Sequence, residues 1–258
     1  MARIVTNEEL ARAIALGPTS PVYLLADMRT VVKTSPAIRV TEAHTMKFVR
    51  VLTNIPVPEV YNVYEDEASG HTRIVMEYID GVSLDLAWPT MTEEAKESVV
   101  RQLRGYWDEL RKIEGCFIGG VDSSACDDHF FSSMDLWEYG PFKNEDEFNL
   151  GLVRAWTKER DDPRTHLVAR MWLNTMKGHK IVMTHGDFAA DNILVRGDKV
   201  VGILGWAYAG FYPEYWEFCK AHWCTDLASP WIQEGVIERV LDPYYQELAL
   251  ILHTERFW

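Results

Sequence analysis

Thr184-His185-Gly186-Asp187-Phe188-Ala189-Ala190-Asp191-Asn192 is the stretch on which the reading of this chain turns. It lies between two β-rich runs, Ile181–Thr184 and Ile193–Val195. A third run, Val200-Val201-Gly202-Ile203-Leu204, follows and passes into Gly205-Trp206-Ala207. A carboxylate such as Asp187, held on a loop between strands, can orient or deprotonate a hydroxyl. A hard divalent cation beside it would call for further carboxylate oxygens. Gly205 and Ala207 supply none.

Outward from this stretch, composition sets the frame. A chain of 258 residues accommodates one large domain or two lobes. With 47% apolar residues and 10 Trp, 11 Tyr and 10 Phe, it can fill a substantial core. No apolar run approaches the length of a membrane-spanning helix. Met1–Glu9 has no long apolar segment and carries acids early, so no secretory signal is expected and a cytoplasmic location is. The net charge of −13 argues against a nucleic-acid backbone or an anionic membrane as partner. The four cysteines are then expected as reduced thiols. Cys219, His222 and Cys224 match no common zinc spacing and are read as packing residues.

The periodicities predict an α+β chain with a small strand-rich first lobe. Val22–Leu25 and Thr30–Lys33 around the turn Ala26–Arg29 predict a hairpin. A helix is predicted over 41–53, with Glu42, Met46, Val49 and Leu52 on one face, ended by Pro56 and Pro58. Val60–Tyr64 and Thr72–Tyr78 predict two more strands around Ala68-Ser69-Gly70. Ile79–Ser83 reads as the crossing, giving an N-lobe over 1–79 and a mainly helical C-lobe over 80–258. The C-lobe opens with a helix over about 92–114, its apolar face formed by Val99, Leu103, Tyr106, Trp107, Leu110 and Ile113. Thr90 or Thr92 can cap it and Gly115 can stop it. Helices near 145–160 and 164–177 follow, then a hairpin over 181–205 and aromatic-rich helices to Trp258.

Several stretches carry a family likeness in order along the chain. They are Val31-Val32-Lys33, Thr41-Glu42-Ala43, Ile55–Pro58, Met76–Gly81, Gly140-Pro141-Phe142, Thr184–Asn192 and Gly210–Glu217. Together they resemble the aminoglycoside phosphotransferase family, within the wider protein-kinase-like fold, and look most like its fungal branch. Members of that branch often sit beside secondary-metabolite genes. The resemblance implies a two-lobed α+β fold with a cleft between the lobes and Asp187 at its base.

Residue roles follow from the resemblance. Lys33 would pair with nucleotide phosphates, held by Glu42 as an ion pair. Glu77–Ile79 would offer backbone groups to an adenine ring. Asp187 would act on the acceptor hydroxyl, and Asn192 would be a metal ligand. His185 is expected to brace the loop more than to react, with carbonyl polarisation by His185 or Lys33 as the other use. The family pattern after the last strand is Ile-Ile-Asp-Trp-Glu, where this chain has Ile203-Leu204-Gly205-Trp206-Ala207. Both carboxylates are replaced. Asn192 is a neutral and poor Mg²⁺ ligand, and Asp191 would serve only if it turned toward the same ion. The turn at Ala26–Arg29 also lacks the glycines that let backbone amides approach phosphates.

On the acceptor side, Phe117, Phe130, Phe131, Trp137, Tyr139, Phe142, Phe148 and Trp156 either pack helices or line an apolar pocket. A polycationic substrate would need acids such as Asp127, Asp128, Glu145, Asp146 and Glu147. A less basic small molecule is favoured. Three functions compete. The first is a repurposed enzyme in natural-product biosynthesis that cyclises, dehydrates or isomerises a small, fairly apolar metabolite without ATP, using Asp187, His185, Asn192 and Lys33. No cofactor or metal is favoured for it, and Lys33, Glu42, Glu77 and Ile79 would be a vestigial nucleotide site. The second is an ATP- and Mg²⁺-dependent small-molecule O-phosphotransferase, with Asn192 and Asp191 as metal ligands. The third is a non-catalytic pseudokinase that binds a ligand or a partner protein. The sequence does not fix the oligomeric state.

Overall fold

The computed structural model describes residues 3–17, 20–128, 139–157 and 160–254, without the side chain of Trp156. Phe130, Phe131, Trp137 and Trp258, invoked above, lie outside the described residues. The chain forms two compact units. One runs to Val99 and includes Asp191–Ala207; the other comprises Val100–Ala190 and the chain from Tyr208 onward. Among the described residues, no helix is long and apolar enough to cross a membrane.

The first unit is built on a five-stranded antiparallel sheet in the order β1-β2-β3-β5-β4. The strands are β1 (Ile14–Ala15), β2 (Val22–Leu24), β3 (Thr30–Ser35), β4 (Val60–Glu65) and β5 (Thr72–Glu77). β3 and β5 lie inside the sheet, and Val31, Val32, Ile74, Val75 and Met76 on them are buried. Full burial explains why these strands read as apolar runs. The helix Val40–Leu52 buries Glu42, Ala43, Thr45, Met46 and Val49. Leu52, expected on that face, is 54% exposed, because it ends the helix.

A second, three-stranded sheet completes this unit. It contains β6 (Val82–Ser83), β8 (Ile193–Arg196) and β9 (Lys199–Ile203), in the order β6-β8-β9. The boundary expected at residue 79 therefore differs from the observed grouping. Ser83 pairs with Leu194 and Val82 with Val195, which ties 82–83 and 193–203 to the first unit.

In the second unit, β7 (Ile181–Thr184) pairs antiparallel with β10 (Gly210–Pro213), Thr184 opposite Gly210. The hairpin expected over 181–205 is thus not formed as such. β7 takes β10 as its partner and β8 takes β9, so residues 185–192 carry the chain from one sheet to another. The sequence hid β10 because Gly-Phe-Tyr-Pro is too short and too rich in Gly and Pro to read as a strand. Close backbone approach makes it possible. A Cβ on Gly210 would lie 2.7 Å from the Gly119 carbonyl oxygen, and one on Gly115 would lie 2.6 Å from the Phe211 ring.

The helix Glu93–Leu110 is N-capped by Thr92, whose hydroxyl accepts from the Ala95 N–H at 3.3 Å. Its Val99, Leu103, Trp107 and Leu110 are buried. Helices Glu145–Thr157, Pro163–Thr175, Trp216–Cys224 and Tyr245–Thr254 surround an aromatic core. Tyr212 and Trp216 stack at 5.6 Å, and Phe148 meets Trp216 edge-on at 5.3 Å. Asn149 satisfies the polar edges of that core. It donates to the Met176 carbonyl at 2.6 Å and accepts from Trp172 Nε1 at 3.0 Å and Tyr215 OH at 3.3 Å.

Candidate active site

β7 delivers the chain to the loop that carries Asp187. Residues Val182 to Gly186 and Phe188 are buried, whereas Asp187 keeps part of its surface exposed. The loop is fixed from below by Glu217 on the helix Trp216–Cys224. Its buried carboxylate accepts from the His185 N–H at 2.6 Å and the Gly186 N–H at 3.1 Å. Two buried backbone donors are thereby satisfied by one ionisable group. Gly186 has φ +79°, and a Cβ there would lie 2.7 Å from the Tyr208 carbonyl oxygen. Only glycine permits both that backbone and that approach.

His185 is fully buried, and its Nδ1 accepts from the Asp187 N–H at 3.2 Å. An accepting Nδ1 belongs to the neutral tautomer protonated on Nε2. The ring stands 6.0 Å from Trp107, which also contacts Phe188 at 4.3 Å. His185 braces the loop. The other use expected of it, polarising a substrate carbonyl, would need an accessible ring atom.

Asp187 has neighbours that the sequence did not flag. Lys220, one turn beyond Glu217, is buried and ion-paired with the buried Asp128, which also accepts from Trp216 Nε1 at 3.0 Å. The ammonium lies 5.0 Å from the Trp223 ring centroid and 5.8 Å from that of Tyr208. Burial alone would lower the Lys220 pKa, but Asp128, with Cys224 and Asp187 adding to it, raises it instead. Burial pushes the half-buried Tyr208 phenol upward, and Asp127, Asp187 and Asp128 push it further. Asp187 therefore stands within electrostatic reach of a charged ammonium and a neutral phenol.

The acids proposed for a polycation are partly committed elsewhere. Asp128 holds Lys220, and the buried Glu145 binds His179 Nδ1 at 2.6 Å. The aromatics do the same. Phe117 packs on Phe211 at 5.5 Å, and Tyr139 on Phe142 at 4.7 Å. The reading in which they fill the unit's interior accounts for these contacts.

In the first unit, Lys33 Nζ on β3 contacts both oxygens of the buried Glu42, at 2.7 and 2.8 Å. The expected ion pair is formed. In the expected hinge two amides are engaged. The Glu77 N–H donates to the Glu59 carbonyl and the Tyr78 N–H to the Arg29 carbonyl, at 2.9 and 2.8 Å, while Ile79 packs against Gly202. At the β2–β3 turn, Asp27 Oδ1 accepts from the Arg29 and Thr30 N–H groups at 2.9 Å each. Burial opposes its ionisation, but these bonds and the Thr30 hydroxyl hold its pKa below the usual range. The turn's own carboxylate thus satisfies these two amides.

The corner expected to hold a metal contains Asn192, Gly205 and Ala207. Asn192 ends the turn Ala190–Asn192, and Leu204 N–H donates to its carbonyl at 2.8 Å. The Asn192 amide carbon sits 2.6 Å from where a Gly205 Cβ would be. Asp191 is exposed, and no cluster of three metal-binding side chains occurs among the described residues. A neutral amide is a poor ligand for a hard divalent cation, and Gly205 and Ala207 bring no carboxylate to it.

A strand-rich unit with its Lys–Glu pair, and a larger helical unit with a braced Asp loop, define a protein-kinase-like scaffold of the aminoglycoside phosphotransferase type. A sequence model of the phosphotransferase enzyme family, APH, matches residues 11–251, and the chain belongs to that family. It is 33% identical to an aminoglycoside 3'-phosphotransferase of Escherichia coli over 73 residues, 28% of this chain and 27% of that protein. It is 25% identical to acyl-CoA dehydrogenase family member 10 of Mus musculus over 210 residues, 74% of this chain and 18% of that protein. The matches span about a quarter or less of those relatives' lengths. Among solved structures, the gentamicin complex of APH(2")-IIa superposes with TM-score 0.57 at 17% identity, covering 95% of this chain and 79% of that one. APH(4)-Ia gives 0.58 at 14% identity, covering 95% and 78%. At these identities the likeness concerns the fold.

Sequence reasoning missed Glu217 as the loop's anchor, and missed Lys220, Asp128 and Tyr208 around Asp187. Glu217 was visible only as the last letter of a matching stretch. The helical spacing from Glu217 to Lys220 was the available signal for the second.

Proposed function

We propose that this chain is an enzyme that acts on a small, fairly apolar metabolite without ATP phosphotransfer, with Asp187 as its proton-handling group. The observation that carries this reading is that the Asn192 amide takes the space a side chain at 205 would need, while the Asp187 loop is held by Glu217. Phosphoryl transfer depends on metal ions that neutralise charge between the phosphates. Loss of one preorganised electrostatic group costs about 10²–10³ in rate. No such step is assigned here. Asp187 would remove a proton from a hydroxyl or an activated carbon and return it elsewhere on the same molecule. That balance suits a cyclisation or an isomerisation, or a dehydration when water leaves. Lys220 would supply fixed positive charge beside the carboxylate, and Tyr208 a neutral hydroxyl donor. The placement of such chemistry in natural-product biosynthesis rests on the family likeness.

Calorimetric titration of ATP with and without Mg²⁺ tests the reading. The expected result is no Mg²⁺-dependent binding and no ATP turnover. Micromolar Mg²⁺-dependent binding together with turnover would sink it. Asp187→Ala, compared with the wild type for metabolite products in a producing host, is expected to abolish the product; an unchanged profile removes Asp187 from the chemistry.

The Lys33–Glu42 pair favours a second reading, an ATP-dependent small-molecule O-phosphotransferase in the manner of the relatives. The same titration decides between the two.

A further inference from the structure

Gly205 has φ +81°, and its virtual Cβ lies 2.6 Å from Asn192 Cγ and Oδ1 and 2.7 Å from Nδ2. Ordinary carbon contacts lie near 3.5–4 Å, roughly an ångström farther. The two backbones are tied together, so relief of a side chain at 205 would fall to Asn192, which would have to leave its rotamer. Leu204 N–H is bonded to the Asn192 carbonyl at 2.8 Å, and the next residues, Ile193 and Ile203, pair in the β8–β9 ladder. Trp206, on the other side of Gly205, is buried and donates from Nε1 to the Ile203 carbonyl at 2.8 Å. Gly205 is held on both sides, with the Asn192 amide laid over its Cα.

We propose that Gly205 and Asn192 are a co-adapted pair. The Asn192 amide fills the volume that a side chain at 205 would need, so this corner excludes a Mg²⁺-class cation instead of lacking one ligand for it. The proposal rests on the reading that this chain does not use Mg²⁺-ATP, and adds the physical reason. A carboxylate returned to position 205 alone does not rebuild a site, because it meets Asn192 before it meets an ion. Asn192 is then a specificity-determining residue that keeps divalent cations and their nucleotides out.

The test is a double-mutant cycle on the full chain, read by thermal melting. Gly205→Ala carries the cost of positive φ in any background and the clash only where Asn192 is present. The Tm loss from Gly205→Ala is expected to be roughly 3–10 °C larger in the wild type than in Asn192→Ala. Equal losses would overturn the pair. If Gly205→Ala fails to fold in the wild type, recovery of a folded protein by adding Asn192→Ala supports the proposal. Failure in both backgrounds overturns it. Mn²⁺ titration followed by electron paramagnetic resonance gives a second readout. Neither the wild type nor Gly205→Asp is expected to bind Mn²⁺ more tightly than about 1 mM. Sub-millimolar binding by Gly205→Asp would show that one ligand was all that was missing. ATP turnover by the wild type would sink the functional reading while the cycle still reports on the pair; an additive cycle in a protein that ignores ATP would sink the pair alone.

Discussion

The loop around Asp187 and the corner around Asn192 lie five residues apart in sequence and are built on opposite terms. At Asp187, three amides of the loop have side-chain partners: Glu217, from a later helix of the same unit, takes two, and His185, within the loop, takes the third. At Asn192, the space expected for a carboxylate is taken by the chain's own amide. Drift from an ancestral activity would erode both regions alike. A braced carboxylate in one unit, with an amide-filled corner in the other, fits selection acting on one half only. The Lys33–Glu42 pair stands between these cases, formed in full yet in a unit whose hairpin amides are already satisfied by Asp27.

Four substitutions probe this contrast. The largest effect is expected at Lys220. Lys220→Met leaves Asp128 buried without its ammonium and should cost about 3–5 kcal/mol in urea denaturation. Adding Asp128→Leu should recover half or more of that, since an apolar pair of similar volume tolerates burial. A loss below about 1 kcal/mol would show that the pair is not a fixed element of the Asp187 surroundings.

Next comes Glu217→Ala, which strands the His185 and Gly186 amides and should cost about 2–4 kcal/mol by the same measurement. Faster hydrogen exchange should appear at 185–187 before the rest of the second unit. Uniform exchange across the unit would mean that the loop is held by something other than Glu217.

Lys33→Met is expected to cost about 1–3 kcal/mol, because Glu42 is left nearly buried without its partner. If the first unit is vestigial for nucleotide, the product profile of the chain stays unchanged in this variant. A lost product with intact stability would move Lys33 into the chemistry.

The smallest effect concerns pH. Burial pulls the His179 pKa down, but Glu145, with Glu247 and Glu214, raises it overall. A raised folded-state pKa means stabilisation that is fully present below the unfolded value of about 6.5 and is lost as pH climbs through the folded value. The melting difference between wild type and His179→Gln should therefore be larger at pH 6 than at pH 8.5. An equal difference at both would mean that His179 contributes by packing alone.

How much of this could be read from residues depended on the range of the interaction. β2, β3, β4, β5 and the helices 93–110 and 163–175 announced themselves by local apolar spacing. The Lys33–Glu42 pair was legible through the family resemblance, which implies a strand Lys held by a helix Glu. β10 was not, since Gly210–Pro213 becomes a strand only through contact with Gly119 and β7. Gly205 was recognised as a missing carboxylate, but its collision with Asn192 was not. That collision depends on a positive φ and on the β8–β9 register, neither of which a one-dimensional motif records. Glu145 and Asp128 read only as acids a polycation could use, because their actual partners, His179 and Lys220, lie 34 and 92 residues away.

The short β7–β10 ladder has a further consequence. Asp187 follows Thr184 by three residues, and Tyr208 precedes Gly210 by two, and Thr184 and Gly210 are paired. Asp187 and Tyr208 therefore follow from the same end of one four-residue ladder. Their spacing is set by strand register, a quantity that changes only in whole steps. The surrounding helices can be resculpted toward new substrates residue by residue, while the acid and the phenol keep their mutual distance as a fixed gauge.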